Sequence, residues 1–113
     1  MKFYLEQEMK DLRLAFEEKV FKWPQVKTNK MFGCPCYQVN GKLFSFLVTG
    51  GVIITRLTEE ERTALSHQFQ TSPFQAGNKS VRNWTRVTLK SKRELNQIIP
   101  FIKKSYNSIF EKE

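Results

Sequence analysis

Tyr37-Gln38-Val39-Asn40-Gly41-Lys42-Leu43-Phe44-Ser45-Phe46-Leu47-Val48 is the stretch from which the fold can be read. Two runs rich in β-branched and aromatic residues flank Asn40-Gly41, and a type I′ turn favours that pair because both of its central residues need positive φ. The stretch therefore reads as a β-hairpin. Downstream, Gly50-Gly51 repeats the device ahead of Val52-Ile53-Ile54-Thr55-Arg56-Leu57, so Cys36 to Leu57 is expected to form a three-stranded meander.

Upstream, Leu5, Met9, Leu12, Phe16 and Val20 recur at helical spacing, which stacks them on one side and leaves charged residues on the other. Trp23-Pro24 ends that helix, since the residue before a proline is pushed out of the helical region. The chain leaves extended from about Val26 to Met31. Beyond the meander, Thr58-Glu59-Glu60-Glu61 has the form of a capping box and opens a short helix to about Phe69. Gln70 to Ser80, with Pro73 and Gly77, reads as a loop, and Trp84 to Leu89 as a further strand. Ser91-Lys92-Arg93-Glu94 is a second capping box, opening a C-terminal helix through about Phe110 with the apolar stripe Leu95, Ile98, Ile99, Ile102, Tyr106 and Ile109. Pro100 lies inside it and predicts a kink or a break. The order helix, meander, helix, strand, helix predicts a two-layer α+β fold, an antiparallel sheet with helices packed on one face. Residues 1–113 are expected to make a single domain.

The chain is 40% hydrophobic with ten Phe and two Trp, enough apolar surface to offset chain entropy, which excludes disorder. Glu6, Glu8, Lys10 and Asp11 interrupt the apolar start before it can act as a signal peptide, and no later run approaches a membrane span. A cytoplasmic location without a membrane partner is expected. Cys34 and Cys36, one residue apart, are too few and too close for a disulfide framework. A zinc site would need two further ligands, and the single histidine, His67, falls on a different element, so no metal is expected. No Gly pattern for a P-loop or a dinucleotide is present. Glu59, Glu60 and Glu61 fill a first helical turn, where acids complement the dipole. No catalytic residue and no cofactor emerge, which points to binding rather than catalysis.

The net charge is +8, and its distribution is uneven: no acid lies between Glu18 and Glu59, nor between Glu61 and Glu94. Two candidate surfaces follow. Lys79, Arg82, Arg86, Lys90, Lys92 and Arg93 form a basic stretch suited to nucleic acid or another anion. If Ile53 and Leu57 point inward with Val87 and Leu89, strand alternation turns Ile54, Arg56, Trp84 and Arg86, with Val52 and Thr88, onto an open sheet face. Such a mixture of aromatic, aliphatic and guanidinium groups suits a protein interface, a homodimer included. Stacking and phosphate contact with single-stranded nucleic acid is the alternative that the same mixture allows.

Lys30-Met31-Phe32-Gly33, followed by a hairpin containing Val39-Asn40-Gly41-Lys42, resembles the N-terminal domain of the TfoX family of competence regulators. The likeness continues through Ile53-Ile54-Thr55-Arg56-Leu57, then Pro73-Phe74, Gly77, Val81, Trp84 and Val87, and so covers nearly the whole chain. Cys34 stands where the family often has a second glycine, and Val81 where it has a methionine. The family's C-terminal domain has no counterpart in the 113 residues, so a competence-regulating role does not carry over. The resemblance implies a two-layer α+β fold with an antiparallel sheet, no catalytic residues, and structural roles for Met31, Phe32, Gly33, Gly41 and Trp84. A regulatory or interaction module is the function it implies.

Overall fold

The structure, a computed structural model, describes residues 3–76 and 79–111. Its elements in chain order are α1 (Glu6–Val20), β1 (Lys27–Met31), β2 (Cys34–Val39), β3 (Lys42–Val48), β4 (Gly51–Ile54), α2 (Glu59–Gln68), β5 (Thr71–Ala76), β6 (Lys79–Thr88) and α3 (Lys92–Glu111). Asn40 and Gly41 both take positive φ, 54° and 74°, and Val39 pairs with Lys42 across them, as their turn chemistry demands. The same signature recurs at Phe32 and Gly33, φ 56° and 77°, between the paired Met31 and Cys34. β1 and β2 are therefore a second tight hairpin, which the Phe-Gly turn does not announce. The third turn is Thr49-Gly50, one residue earlier than expected, with Val48 paired to Gly51.

The sheet has six antiparallel strands in the order β1-β2-β3-β4-β6-β5. The meander accounts for β2 to β4. The expected loop at Gln70 to Ser80 instead contains β5, and β6 begins at Lys79 rather than at Trp84. Pro73 is tolerated in β5 because the strand lies at the sheet edge, where a missing donor costs little. Pro73 pairs with Thr85 but Phe74 pairs with Val81, so Arg82, Asn83 and Trp84 are extra residues that bulge from β6. Gly77 lies outside the described residues.

Helices α1 and α3 cover one face. Phe16 and Val20 of α1, with Leu95, Ile98, Ile102, Tyr106 and Ile109 of α3, meet Tyr37, Val39, Phe44, Leu47, Val52, Ile54 and Val87 of the sheet. Helix α3 runs unbroken through Pro100. Asn96, whose carbonyl loses its donor there, is exposed, so water can take the donor's place. The first capping box forms as predicted, with Glu61 N–H on Thr58 Oγ1 at 3.1 Å and Thr58 N–H on Glu61 Oε1 at 2.9 Å. The second forms by half. Glu94 N–H reaches Ser91 Oγ at 3.3 Å, but the Glu94 carboxylate accepts from Lys90 N–H at 2.6 Å.

The opposite face is not open. Cys34, Cys36, Phe46, Val48, Ile53 and Phe74 are all 2% exposed or less on that side, packed with Phe3, Met31, Leu43, Val81 and Trp84 into a second core. The phase expected for β4 is also corrected: Val52 and Ile54 face the helices with Leu57 and Val87, while Ile53 faces the second core. The strand stops at Ile54, so counting alternation back from Leu57 crosses irregular backbone and slips by one. Ile54 is fully buried and is no part of an exposed surface.

Candidate functional site

The N-terminal segment is tied to the β3–β4 turn by two hydrogen bonds: Thr49 N–H donates to the Phe3 carbonyl at 2.9 Å, and Leu5 N–H to Thr49 Oγ1 at 2.7 Å. That tether lays Phe3 over the sheet face away from the helices. Its ring centroid is 5.6 Å from those of both Phe32 and Phe74, and Phe74 is in turn 6.0 Å from Trp84. An aromatic strip thus runs from the β1–β2 turn to the bulge of β6, with Phe74 buried in its middle. Phe32, at one end, is 51% exposed and sits in left-handed backbone, a rare combination for a bulky side chain. Trp84, at the other, is partly exposed and rests edge-on against Phe46 at 5.5 Å.

Beside Trp84 lies a shallow groove of about 350 Å³ lined by Lys42, Leu43, Thr55, Arg56 and Trp84. Local structure places each wall. Lys42 is the first residue after the Asn40-Gly41 turn and is exposed. Thr55 Oγ1 donates to the Leu43 carbonyl at 3.0 Å, closing the floor. Arg56 follows β4 and is fixed to α3 twice, its backbone N–H on Ser105 Oγ and its Nε on Ser108 Oγ, both at 3.1 Å. Among the described residues its two terminal guanidinium nitrogens have no hydrogen-bond partner, and no carboxylate lines this groove.

The structure therefore brings together Arg56 and Trp84 of the expected surface and adds Lys42, which the sequence reading left out. The signal for Lys42 was its place straight after a tight turn on a strand adjoining β4. Arg86 shares the Trp84 side of β6, but its Nη2 donates to the Thr49 carbonyl at 3.1 Å and holds the β3–β4 turn. Lys90, Lys92 and Arg93 are exposed at the junction of β6 and α3. The side chains of Lys79 and Arg82 lie outside what is described. Paired along the six-residue β5, β6 runs roughly 20 Å from Lys79 to Thr88, so Lys79 and Lys90 lie at opposite ends of the strand. Met31 packs into the second core, and Gly33 and Gly41 hold turn positions.

A larger open cleft, about 620 Å³, lies between α1 and the β1–β2 hairpin and is walled by Tyr4, Glu6, Arg13, Glu17, Thr28, Asn29, Lys30, Gly33 and Pro35. Its two carboxylates are already engaged. Arg13 forks onto Glu6 at 2.7 Å and reaches Glu17 at 3.0 Å, and Tyr37 donates to Glu17 at 2.7 Å. Hydrogen bonds from Arg13, then from Tyr4, hold the Glu6 carboxyl down at about 2. Burial first, then Glu17, pushes the Tyr37 phenol up. The fully buried Cys34 thiol is pushed up to about 11 by burial, with Cys36 beside it adding to the shift. Burial likewise raises Cys36, so neither sulfur is poised as a thiolate. His67 is exposed in the last turn of α2. Among the described residues, no group of three or more His, Cys, Asp or Glu side chains converges as a metal site, and no helix is long and apolar enough to cross a membrane. Comparison with protein-family models, with curated proteins and with solved structures finds no match to this chain.

Proposed function

We propose that this chain is a non-enzymatic binding module of the cytoplasm, related to the TfoX N-terminal domain, and that its partner is nucleic acid. The groove beside Trp84 carries the reading: an aromatic ring, a lysine and a guanidinium meet there, and among the described residues no carboxylate lines it and no group pairs with the guanidinium's terminal nitrogens. A polyanion gains from both cations, and the acid-free run from Lys19 to Thr58 supplies no opposing charge from β1 to β4. The protein-interface reading of the sheet has less support, because the face it needs is filled by the second core. Both edges are also guarded against strand pairing, by Lys27 and Lys30 on β1 and by Pro73 on β5.

The test is anisotropy of a labelled mixed-sequence oligonucleotide titrated with protein at about 50 and 200 mM salt, the range over which phosphate-driven binding changes most. Binding is expected at the lower salt and should weaken at the higher. Lys42→Gln should reduce the slope of log affinity against log salt by about 0.7 to 0.9, the contribution of one phosphate contact. Absence of binding at 50 mM would sink the proposal, and an unchanged slope in the variant would take it away from this groove.

A further inference from the structure

Charge alone does not distinguish a duplex from a single strand, but the surroundings of Trp84 do. A duplex presents phosphates and keeps its base faces stacked on one another; a single strand presents both phosphates and free base faces. Trp84 reaches the surface because β6 carries three residues more than β5 between the Phe74–Val81 and Pro73–Thr85 pairs. Part of the indole packs on Phe46 and Phe74, and part remains exposed over the groove. The groove's volume equals that of about a dozen water molecules at about 30 Å³ each, room for one planar base.

We propose that this groove is a nucleobase subsite for single-stranded nucleic acid, in which one base stacks on Trp84 and the flanking phosphates meet Lys42 and Arg56. The inference rests on the nucleic-acid reading above and names the strand form it takes. Ser108 fixes the Arg56 guanidinium through Nε and leaves the fork of terminal nitrogens, the geometry that suits a phosphate. Lys42, exposed at the start of β3, stands across the groove and adds a second cation. Phe32 marks a further stacking position two ring steps along the strip, 6.2 Å to Phe74 and 6.0 Å from there to Trp84. Its exposure in left-handed backbone fits that role, since strained residues collect where ligands are held.

The experiment uses a Trp23→Phe background, in which Trp84 is the sole tryptophan. An unlabelled oligothymidine and a duplex of matched charge are titrated while tryptophan emission is read, and affinities are taken from labelled versions of both. The single strand is expected to bind about tenfold or more tighter than the duplex and to quench Trp84, as base stacking requires. The duplex should leave the emission unchanged. Lys42→Gln, at an exposed position at the start of β3 where the core is untouched, should weaken single-strand binding severalfold. Equal affinity for both forms with no quenching would overturn the base subsite while leaving the nucleic-acid reading in place. An unchanged affinity in Lys42→Gln would overturn the phosphate assignment. Absence of binding to either form at about 50 mM salt would overturn both readings together.

Discussion

A Cβ on Gly51 would lie 2.2 Å from the Val87 carbonyl oxygen and 3.4 Å from Thr88 Cα, both backbone atoms of the neighbouring strand. Neither can swing aside as the end of a side chain can, so Gly51→Ala has to force β4 and β6 apart. Overpacking of this kind costs about 1–3 kcal/mol, and the lower urea midpoint it implies is the expected result. An unchanged midpoint would show that the strands separate at no cost. Gly41 differs: nothing lies within 4 Å of its Cβ direction, and its φ of 74° alone calls for glycine. Both glycines look like turn residues in the sequence, yet only Gly41 is one. Turn chemistry is local and therefore legible, whereas the reason for Gly51 sits on a strand far along the chain. Phe32 was illegible for the related reason that its turn position is usually taken by Asn or Asp.

Helices α1 and α3 could be read from their apolar spacing because that period persists over several turns. The strands were harder. Tyr37 pairs with Ser45 and Gln38 with Leu43, so Phe44 is an extra residue on β3. Simple alternation would put Phe44 and Phe46 on one side, but the bulge sends Phe44 to the helices and Phe46 to the second core. The Phe44 carbonyl, which accepts Thr55 N–H at 3.3 Å, is also met by α3: Ser105 Oγ donates to it at 2.7 Å and accepts Arg56 N–H at 3.1 Å. Ser105 is fully buried, so Ser105→Ala deprives the Arg56 N–H of its partner and weakens the grip of α3 on β3. A loss of about 1–3 kcal/mol is expected in urea unfolding, with the denaturant slope unchanged. A loss near zero would mean that water replaces the hydroxyl. Strand β5 escaped notice because Pro73, a residue depleted in strands, sits inside it, and pairing along an edge supplies what the sequence lacks.

The α+β class and the antiparallel sheet were legible because the Asn40-Gly41 hairpin and two periodic helices constrain the layers. The second core was not, because Phe3, Phe46 and Phe74 come from three separated segments and meet only in the folded chain. Trp84 and Arg56 could be singled out as residue types, but their adjacency to Lys42 depends on where β4 ends and where β6 bulges. The path of β3 between the two interiors also bears on how the molecule comes apart. Trp23 packs near Phe44 at 6.1 Å and Trp84 against Phe46 at 5.5 Å, so each interior contains one tryptophan beside one of two phenylalanines on the same strand. Both interiors lose a central phenylalanine when β3 leaves, so the two sides are expected to melt together. Single-tryptophan variants, Trp84→Phe and Trp23→Phe, should each show one sigmoidal urea transition, reporting opposite sides of the sheet with the same free-energy dependence on denaturant. A divergence larger than the change in stability measured by circular dichroism for each variant would mean that the sides melt separately. Coincidence would make the strand a mechanical coupling: a perturbation on the helical side, far from Trp84, would be felt at the groove as a change in the population of the whole folded state.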